Sequence, residues 1–573
     1  MTLRSQQWLD GGDEVSLAHR VALRSIGLDI DVDDPRPIIG IADSSSDLNP
    51  CNLPLREVAD AVAEGVRAAG GLPVRFPTMS LGEDLMKPSA FLYRNLLAME
   101  VEETLRSNPL DGVVVLANCD KTVPAVLMGS ASANLPTIAV LGGARPVTNF
   151  RGKSVGTGTD LWRLWEERRA GTMDDAGWKK LESCLACGLG ACNTMGTAST
   201  MAVLTEALGM ALPGLSTAAA GSVESLAGAR AAGERIVELV AADVRPRDIL
   251  TPAAFDNAVR VLHAIGGSTN AVIHLPAIAG RVGLSLDLQR MGDLGRTVPL
   301  LADVEPSGRF LIHDFHSSGG LPVLERQIAD HLDLDVTGVS GLPLREIVAQ
   351  AAEASGAIRT IENALGLGGS FAVVSGNLAP DGAVIKTSAA TPALFSHTGP
   401  AFVFNGYDDM RTRVDDPDLP VTADTVLILT GAGPVGVPGM PEWGMIPIPA
   451  KLAAEGVTDM VRITDSRMSG TSFGTVILHA APEAAVGGGI GLVRDGDLIR
   501  VDIEAGRIDV LIDDVEFAQR AADWTRPASE HLRGWPALYQ THVTQAPEGC
   551  DFDFLQAPTS AHLRFVEPVV GRS

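Results

Sequence analysis

The stretch VVLANCDKTVPAVLMG, residues 114–129, sets a thiol, a carboxylate and an amine side by side at Cys119, Asp120 and Lys121. They follow an apolar run and precede another, with Thr122 placed as a helix N-cap and Pro124 in the first turn. Two more cysteines share this setting. Cys51 lies in LNPCNLPLREV and Cys192 in GLGACNTMGTASTM, each in a loop that leads into a helical pattern. The free N–H groups and dipole of a helix start stabilise a thiolate, so three such loops could bring three thiolates together. Iron–sulfur clusters are usually held by four thiolates. Three would leave one iron with an open position, as catalytic metal centres need. Each cysteine taken alone also reads as a small buried apolar residue. Cys184 and Cys187 form a CxxC that could make a zinc knot with Cys192, but no nearby histidine or further cysteine completes it. Cys550 neighbours Asp551 and Asp553, which disfavour a thiolate.

Hard donors accompany the thiols. Asp120 is an oxygen donor suited to Mg²⁺. Glu83, in TMSLGEDLMKPS, and Glu442, in GVPGMPEWGMIP, are acids set in apolar segments bent by Gly and Pro. They read equally as metal ligands or as surface turn carboxylates. The segment RITDSRMSGTSFGT, 462–475, ends a strand in a loop of small residues. Successive N–H groups there could stabilise an oxyanion, including a deprotonated Ser469; SGTS is otherwise a common turn.

Positioning these groups requires a sheet with helices. PIIGIAD (37–43), PVRFPT (73–78), DGVVVLA (111–117) and PTIAVLGG (136–143) read as short apolar strands. Helical patterns run over 55–71, 197–212 and 222–244. Apolar strands separated by helices predict a parallel sheet covered on both faces, with its sites at the carboxyl ends of the strands. Beyond about residue 370 the pattern changes to short strand-like pieces between Gly, Pro and Asp turns, which predicts a β-barrel or sandwich. The expected domains are an α/β unit over 1–370 and a β unit over 371–573. VGGGIG (486–491) lacks the Gly-Lys-Ser/Thr ending of a phosphate loop and reads as a turn.

The composition narrows the function. The hydrophobic fraction is 46% and aromatics make up 4%, with 61 glycines, which suits close-packed α/β layers with tight turns. The net charge of −25, with no Lys/Arg run, argues against nucleic acid and anionic membranes as partners. An anionic substrate would need a local positive charge, such as a metal ion. The first residues lack a signal-peptide pattern and no apolar run is long enough to cross a bilayer, so a soluble cytoplasmic protein is expected. In a reducing compartment, six cysteines in so long a chain point to metal binding or catalysis rather than a disulfide scaffold.

The chain resembles the dihydroxy-acid and phosphogluconate dehydratases nearly end to end. The resemblance runs through LRSQQW, LNPCN, NCDKTVPA, GACNTMGTASTMA, AIGGSTNAVIHLPAIA, SGNLAPDGAVIKTS, GMPEWGMIPIP, ITDSRMSGTSFG and EGCDFDFL. It implies an N-terminal α/β domain, a C-terminal β-barrel domain and a site between them. It implies a [2Fe–2S] cluster on Cys51, Cys119 and Cys192. It also implies Mg²⁺ on Glu83, Asp120 and Glu442, with Lys121 carbamylated as a further ligand. Ser469 matches the proposed base, and Thr471 and His542 are expected to contact substrate. The implied reaction converts a 2,3-dihydroxy sugar acid to a 2-keto-3-deoxy acid in a homodimer or homotetramer. ACNTMGTASTM and GCDFDFL are similar to the aldonate branch; a branched-chain dihydroxy-acid dehydratase and a non-catalytic iron–sulfur protein are the alternatives. The chain departs from the family pattern at Ser44–Ser46, Leu53–Pro54 and Thr398.

Overall fold

β1 (Ile38–Asp43), β2 (Leu72–Pro77), β3 (Gly112–Ala117) and β4 (Thr137–Leu141) pair in the order β2-β1-β3-β4, all parallel. A computed structural model describes residues 3–169, 171–557 and 567–571. The two central strands, β1 and β3, are buried along their whole length. The helix Leu55–Ala68 carries the chain from β1 outward to β2, and the helix Thr122–Ala133 carries it from β3 the opposite way to β4. Right-handed crossovers in opposite directions put these helices on opposite faces. They also make the gap between β1 and β3 the topological switch point, where a crevice opens beyond the strand ends. The helix Val223–Ala242 packs on Leu55–Ala68 through paired glycines. A Cβ on Gly65 would lie 2.0 Å from Arg230 O, and one on Gly233 2.2 Å from Val62 O, so only glycine permits this crossing.

The helix expected over 197–212 stops earlier, at Thr197–Ala207. Gly209 takes φ +80° and the N–H of Met210 returns to Thr205 O, a glycine-terminated turn that apolar periodicity alone does not reveal. A hairpin follows the sheet, β5 (Thr148–Phe150) with β6 (Lys153–Val155).

The β-rich half closes into a barrel rather than a sandwich. Its strands are β7 (Ala372–Gly376), β8 (Ala379–Ile385), β9 (Ser396–Asn405), β10 (Val426–Thr430), β11 (Arg462–Thr464), β12 (Val476–Ala481), β13 (Leu498–Asp502) and β14 (Arg507–Val510), in the order β10-β11-β12-β8-β7-β14-β13-β9. Val374, Ile385, Ile428, Ile463, Ile477 and Ile508 belong to its apolar core. β9 to β12 run parallel, so the loops after β10 and β11 leave from the same end. Those loops carry Glu442 and Ser469. Among the described residues no helix is long and apolar enough to cross a membrane.

Two buried charges yield stability predictions. Arg281, on the helix Ala271–Arg281, pairs with Asp551 through Nε at 2.7 Å and Nη2 at 2.9 Å, and both side chains are fully buried. This fastens the segment after Gly549 to the α/β half. Asp551→Ala removes the bidentate partner and leaves the guanidinium with Glu102 at 3.5 Å and the Ser132 hydroxyl at 3.1 Å; it should cost about 3 kcal/mol, read as a lower apparent Tm. Just past β8, the Lys386 amine is buried without a hydrogen-bond partner, and burial pushes its pKa down to about 7. The unfolded lysine titrates near 10.4. Between about pH 7 and about pH 10 the unfolded chain therefore holds more protons, and stability rises with pH across that window. Below it the penalty is complete. Lys386→Met should stabilise the protein by about 3 kcal/mol at about pH 7, and the gap from wild type should narrow by about pH 9.5. A wild-type Tm unchanged across that range would count against the assignment.

Candidate active site

The switch-point crevice collects the first two cysteines. Cys119 follows β3 by two residues and Cys51 lies in the loop after β1. Asn118 Nδ2 joins the loops by donating to Cys51 O at 2.7 Å and Gly143 O at 2.8 Å. Asn52 Oδ1 accepts from the Cys119 N–H at 2.9 Å. Lys121, not Thr122, occupies the N-cap position of the helix Thr122–Ala133. The Thr122 hydroxyl instead donates to Leu81 O at 3.0 Å and accepts from Asn52 Nδ2 at 3.2 Å, which ties the loop bearing Glu83 to both cysteine loops. Cys192 enters from the loop before the helix Thr197–Ala207.

Proximity to helix starts does not dominate the thiols. The Cys51 side chain, with burial, pushes the Cys119 thiol well above its ordinary range. Burial, with Cys51, pushes Cys192 up to about 12. The neighbouring thiol and burial thus favour the neutral thiol form of these sulfurs.

Asp120 points to the other donor set, with its Oδ1 3.5 Å from Cys119 Sγ. The Lys121 ammonium is fully buried among three carboxylates: it bonds Asp120 closely, lies 3.2 Å from Glu442 and 3.8 Å from Glu83. Burial works against the Lys121 charge, but Asp120 and Glu442 more than restore it and raise its pKa. Burial also pushes Glu442 up, but Lys121 and Arg467 overcome it and bring it down to about 2. Burial raises Glu83 to about 7 despite Lys121. Among the described residues, no three His, Cys, Asp or Glu side chains already stand as a metal-ligand group. The donors nevertheless suit both implied groups. Glu83 Oε2 is buried and accepts no hydrogen bond, a hard oxygen free for a cation such as Mg²⁺. The three sulfurs are soft donors on one cavity wall, which suits iron–sulfur ligation.

Ser469 sits in the loop between β11 and β12. Its Oγ lies 2.9 Å from Thr471 Oγ1 and 3.4 Å from the Thr471 N–H. Trp162 Nε1 donates to the same Thr471 hydroxyl at 3.3 Å. Because indole is only a donor, the Thr471 oxygen accepts from Trp162 and its own hydrogen is left for Ser469. Gly158, at φ +100°, keeps this contact open, since a Cβ there would meet the Thr471 methyl at 2.7 Å.

A single cavity, open to solvent, unites these parts. Cys51, Cys119 and Cys192 line it with Glu83, Asp120 and Glu442, and Ser469 and Thr471 close it from the barrel side. Lys121 lies behind the wall, bonded to the carboxylates.

Both halves of the chain match models of one family: residues 36–347 match the dihydroxy-acid/6-phosphogluconate dehydratase N-terminal domain and residues 356–550 its C-terminal domain. The chain is a member of the dihydroxy-acid/6-phosphogluconate dehydratase family. It is 47% identical over 97% of its length to 6-deoxy-6-sulfo-D-gluconate dehydratase of Pseudomonas putida, covering 96% of that protein. It is 44% identical over 97% of its length to L-arabinonate dehydratase of Rhizobium leguminosarum bv. trifolii, again covering 96%. Dihydroxy-acid dehydratase of Acetivibrio thermocellus is 38% identical over 93% of the chain and is covered to 96%.

The other residues singled out in the sequence are not among those lining the cavity. His542 is not among the cavity-lining residues; its Nδ1 is 3.0 Å from Asp553 and its ring packs edge-on against Phe554, which hold it at the C-terminal segment. Cys187 donates to Pro146 O at 3.2 Å, Cys184 packs on the apolar cluster of Phe150 and Leu181, and Cys550 is buried in another cluster. The Ser44 hydroxyl donates to Leu116 O, and Thr398 on β9 stands opposite Arg500 on the neighbouring strand β13; neither lines the cavity. Sequence reasoning missed Arg467 and Asn270. Arg467 donates to Glu442 at 2.8 Å and to Ser89 Oγ at 3.0 Å, and Asn270 Nδ2 donates to Glu442 at 2.7 Å. Both stand inside motifs already singled out, as polar residues in small or apolar company. Trp162 and Arg145 gave no such signal.

Proposed function

We propose that this dehydratase removes water from a 2,3-dihydroxy sugar acid, giving the 2-keto-3-deoxy acid. The observation that carries the reading is the single cavity in which three cysteines, three carboxylates and the Ser469–Thr471 pair meet. The sugar-acid dehydratases among its relatives, more similar than the dihydroxy-acid dehydratase above, support a sugar acid over a branched-chain acid.

Cys51, Cys119 and Cys192 would hold the [2Fe–2S] cluster, and Glu83, Asp120 and Glu442 the Mg²⁺. When bound, these groups supply Lewis acidity, the cluster to the 3-hydroxyl and Mg²⁺ to the carboxylate and 2-hydroxyl. The protein's own residues handle the proton. Ser469 Oγ removes it from C2, and as an alkoxide it is stabilised by the Thr471 O–H and N–H. Trp162 donates to the same Thr471 hydroxyl, which leaves the hydroxyl hydrogen available to the Ser469 oxygen. Arg467 and Asn270 hold the Glu442 carboxylate in place. Carbamylation of Lys121 would turn the cation among these acids into a further oxygen donor. The proton taken by Ser469 passes to the departing 3-hydroxyl, which leaves as water and restores the Ser469 base; the enol left behind takes a solvent proton at C3 and gives up its O–H proton to become the keto acid. The family resemblance supports a cytoplasmic homodimer or homotetramer.

The test is a panel of three- to six-carbon aldonic acids and 2,3-dihydroxyisovalerate, offered to protein reconstituted anaerobically with iron, sulfide and Mg²⁺. A 2-keto-3-deoxy acid should form from a sugar acid. Turnover of 2,3-dihydroxyisovalerate alone would move the protein to the branched-chain reading.

A further inference from the structure

We infer that Arg145 is a positioning residue for the iron–sulfur cluster: its guanidinium, held between two of the cysteine loops, offsets their thiolate charge and raises the cluster's reduction potential. This rests on the cluster ligation proposed above.

Arg145 follows β4 in the run GGARPV. Its N–H donates to Ala191 O at 2.9 Å, and its Nε donates to Gly190 O at 3.2 Å. The Gly190 N–H in turn donates to Pro50 O at 3.1 Å. Arg145 is thus held by the backbone just before Cys192, which in turn bonds the residue just before Cys51. Gly190 takes φ +123°, and a Cβ there would lie 2.6 Å from Arg145 N, so the close approach depends on glycine. Arg145 Nη2 comes to 3.9 Å from Cys51 Sγ.

The surroundings give this charge its weight. Arg145 is the one Lys or Arg among the described residues lining the cavity, whose charged groups are otherwise Glu83, Asp84, Asp120 and Glu442 and the three thiols. A guanidinium keeps its proton at all working pH values, so its charge does not depend on the state of the site. Three thiolates on a [2Fe–2S] core carry excess negative charge, and one-electron reduction adds more. A fixed cation beside the Cys51 sulfur, and bonded to the backbone that leads into Cys192, therefore favours the reduced form and also the assembled cluster. Dehydration transfers no net electrons, so the potential reports this electrostatic support rather than a redox step.

The experiment is an anaerobic redox titration, followed by visible absorption, of reconstituted wild type, Arg145→Gln and Arg145→Lys, with iron and sulfide assayed in each. Arg145→Gln should shift the midpoint downward by at least a tenfold change in the one-electron equilibrium, about 59 mV. Arg145→Lys should stay near the wild type. A Gln variant at the wild-type potential, or a Lys variant shifted as far as Gln, overturns the proposal. If Arg145→Gln retains no iron, full loading of Arg145→Lys supports the role of charge and an empty Arg145→Lys refutes it. Wild type that takes up no iron would sink the cluster ligation itself, a failure distinct from that of Arg145.

Discussion

Ser469→Ala should lower turnover by about 10²- to 10⁴-fold, the range for removing a positioned base, while the protein keeps its iron, sulfide and Mg²⁺. The expectation follows from where Ser469 stands. It lines the cavity shared with the cysteines and carboxylates, yet it belongs to neither donor set. Its oxygen has two donors from Thr471 to stabilise negative charge. Alanine removes the oxygen without adding bulk to a loop whose neighbour, Gly470, already packs against Ser268 and Thr197. The loss should therefore fall mainly on kcat, with little change in KM. Thr471→Val should reproduce part of the loss, because the Thr471 N–H remains. Near-wild-type turnover of Ser469→Ala would remove it from the reaction.

Cys119→Ser should abolish the cluster, with visible absorption and bound iron falling to background and activity falling with them. Cys119 is buried at the end of β3, its N–H is fixed by Asn52, and its sulfur borders Asp120. A serine oxygen there is harder and far less acidic than a thiol. Cys51→Ser and Cys192→Ser should behave alike. Cys187→Ser should leave iron content unchanged, since its thiol donates to Pro146 O outside the cavity. Iron retained by all three cavity variants would refute the ligation.

The legible and illegible parts of this protein divide on physical grounds. The strand ends were legible because apolar runs stop abruptly at polar chemistry, and a parallel sheet places such ends together. Barrel and sandwich could not be told apart from short strands, because closure depends on β9 pairing both with β10, the next strand, and with β13, which lies far along the chain. The thiols illustrate a different limit. A helix start is visible in sequence, but the Cys51 neighbour that, with burial, raises Cys119 and the burial that raises Cys192 are properties of the packed cavity. Lys121 likewise read as one residue of a reactive trio; its place among Glu83, Asp120 and Glu442 depends on a loop 321 positions away. His542 shows that a residue near a motif takes its place from neighbours the motif does not reveal, here Asp553 and Phe554.

The most direct test of sugar-acid dehydration through C2 proton removal is to run the reconstituted enzyme on an aldonic acid in deuterated water and read the product by NMR. The account predicts a 2-keto-3-deoxy acid with one solvent-derived deuterium at C3. Absence of keto acid with every sugar acid offered, or a product that retains the original C2 hydrogen at C3 with no deuterium, would contradict it.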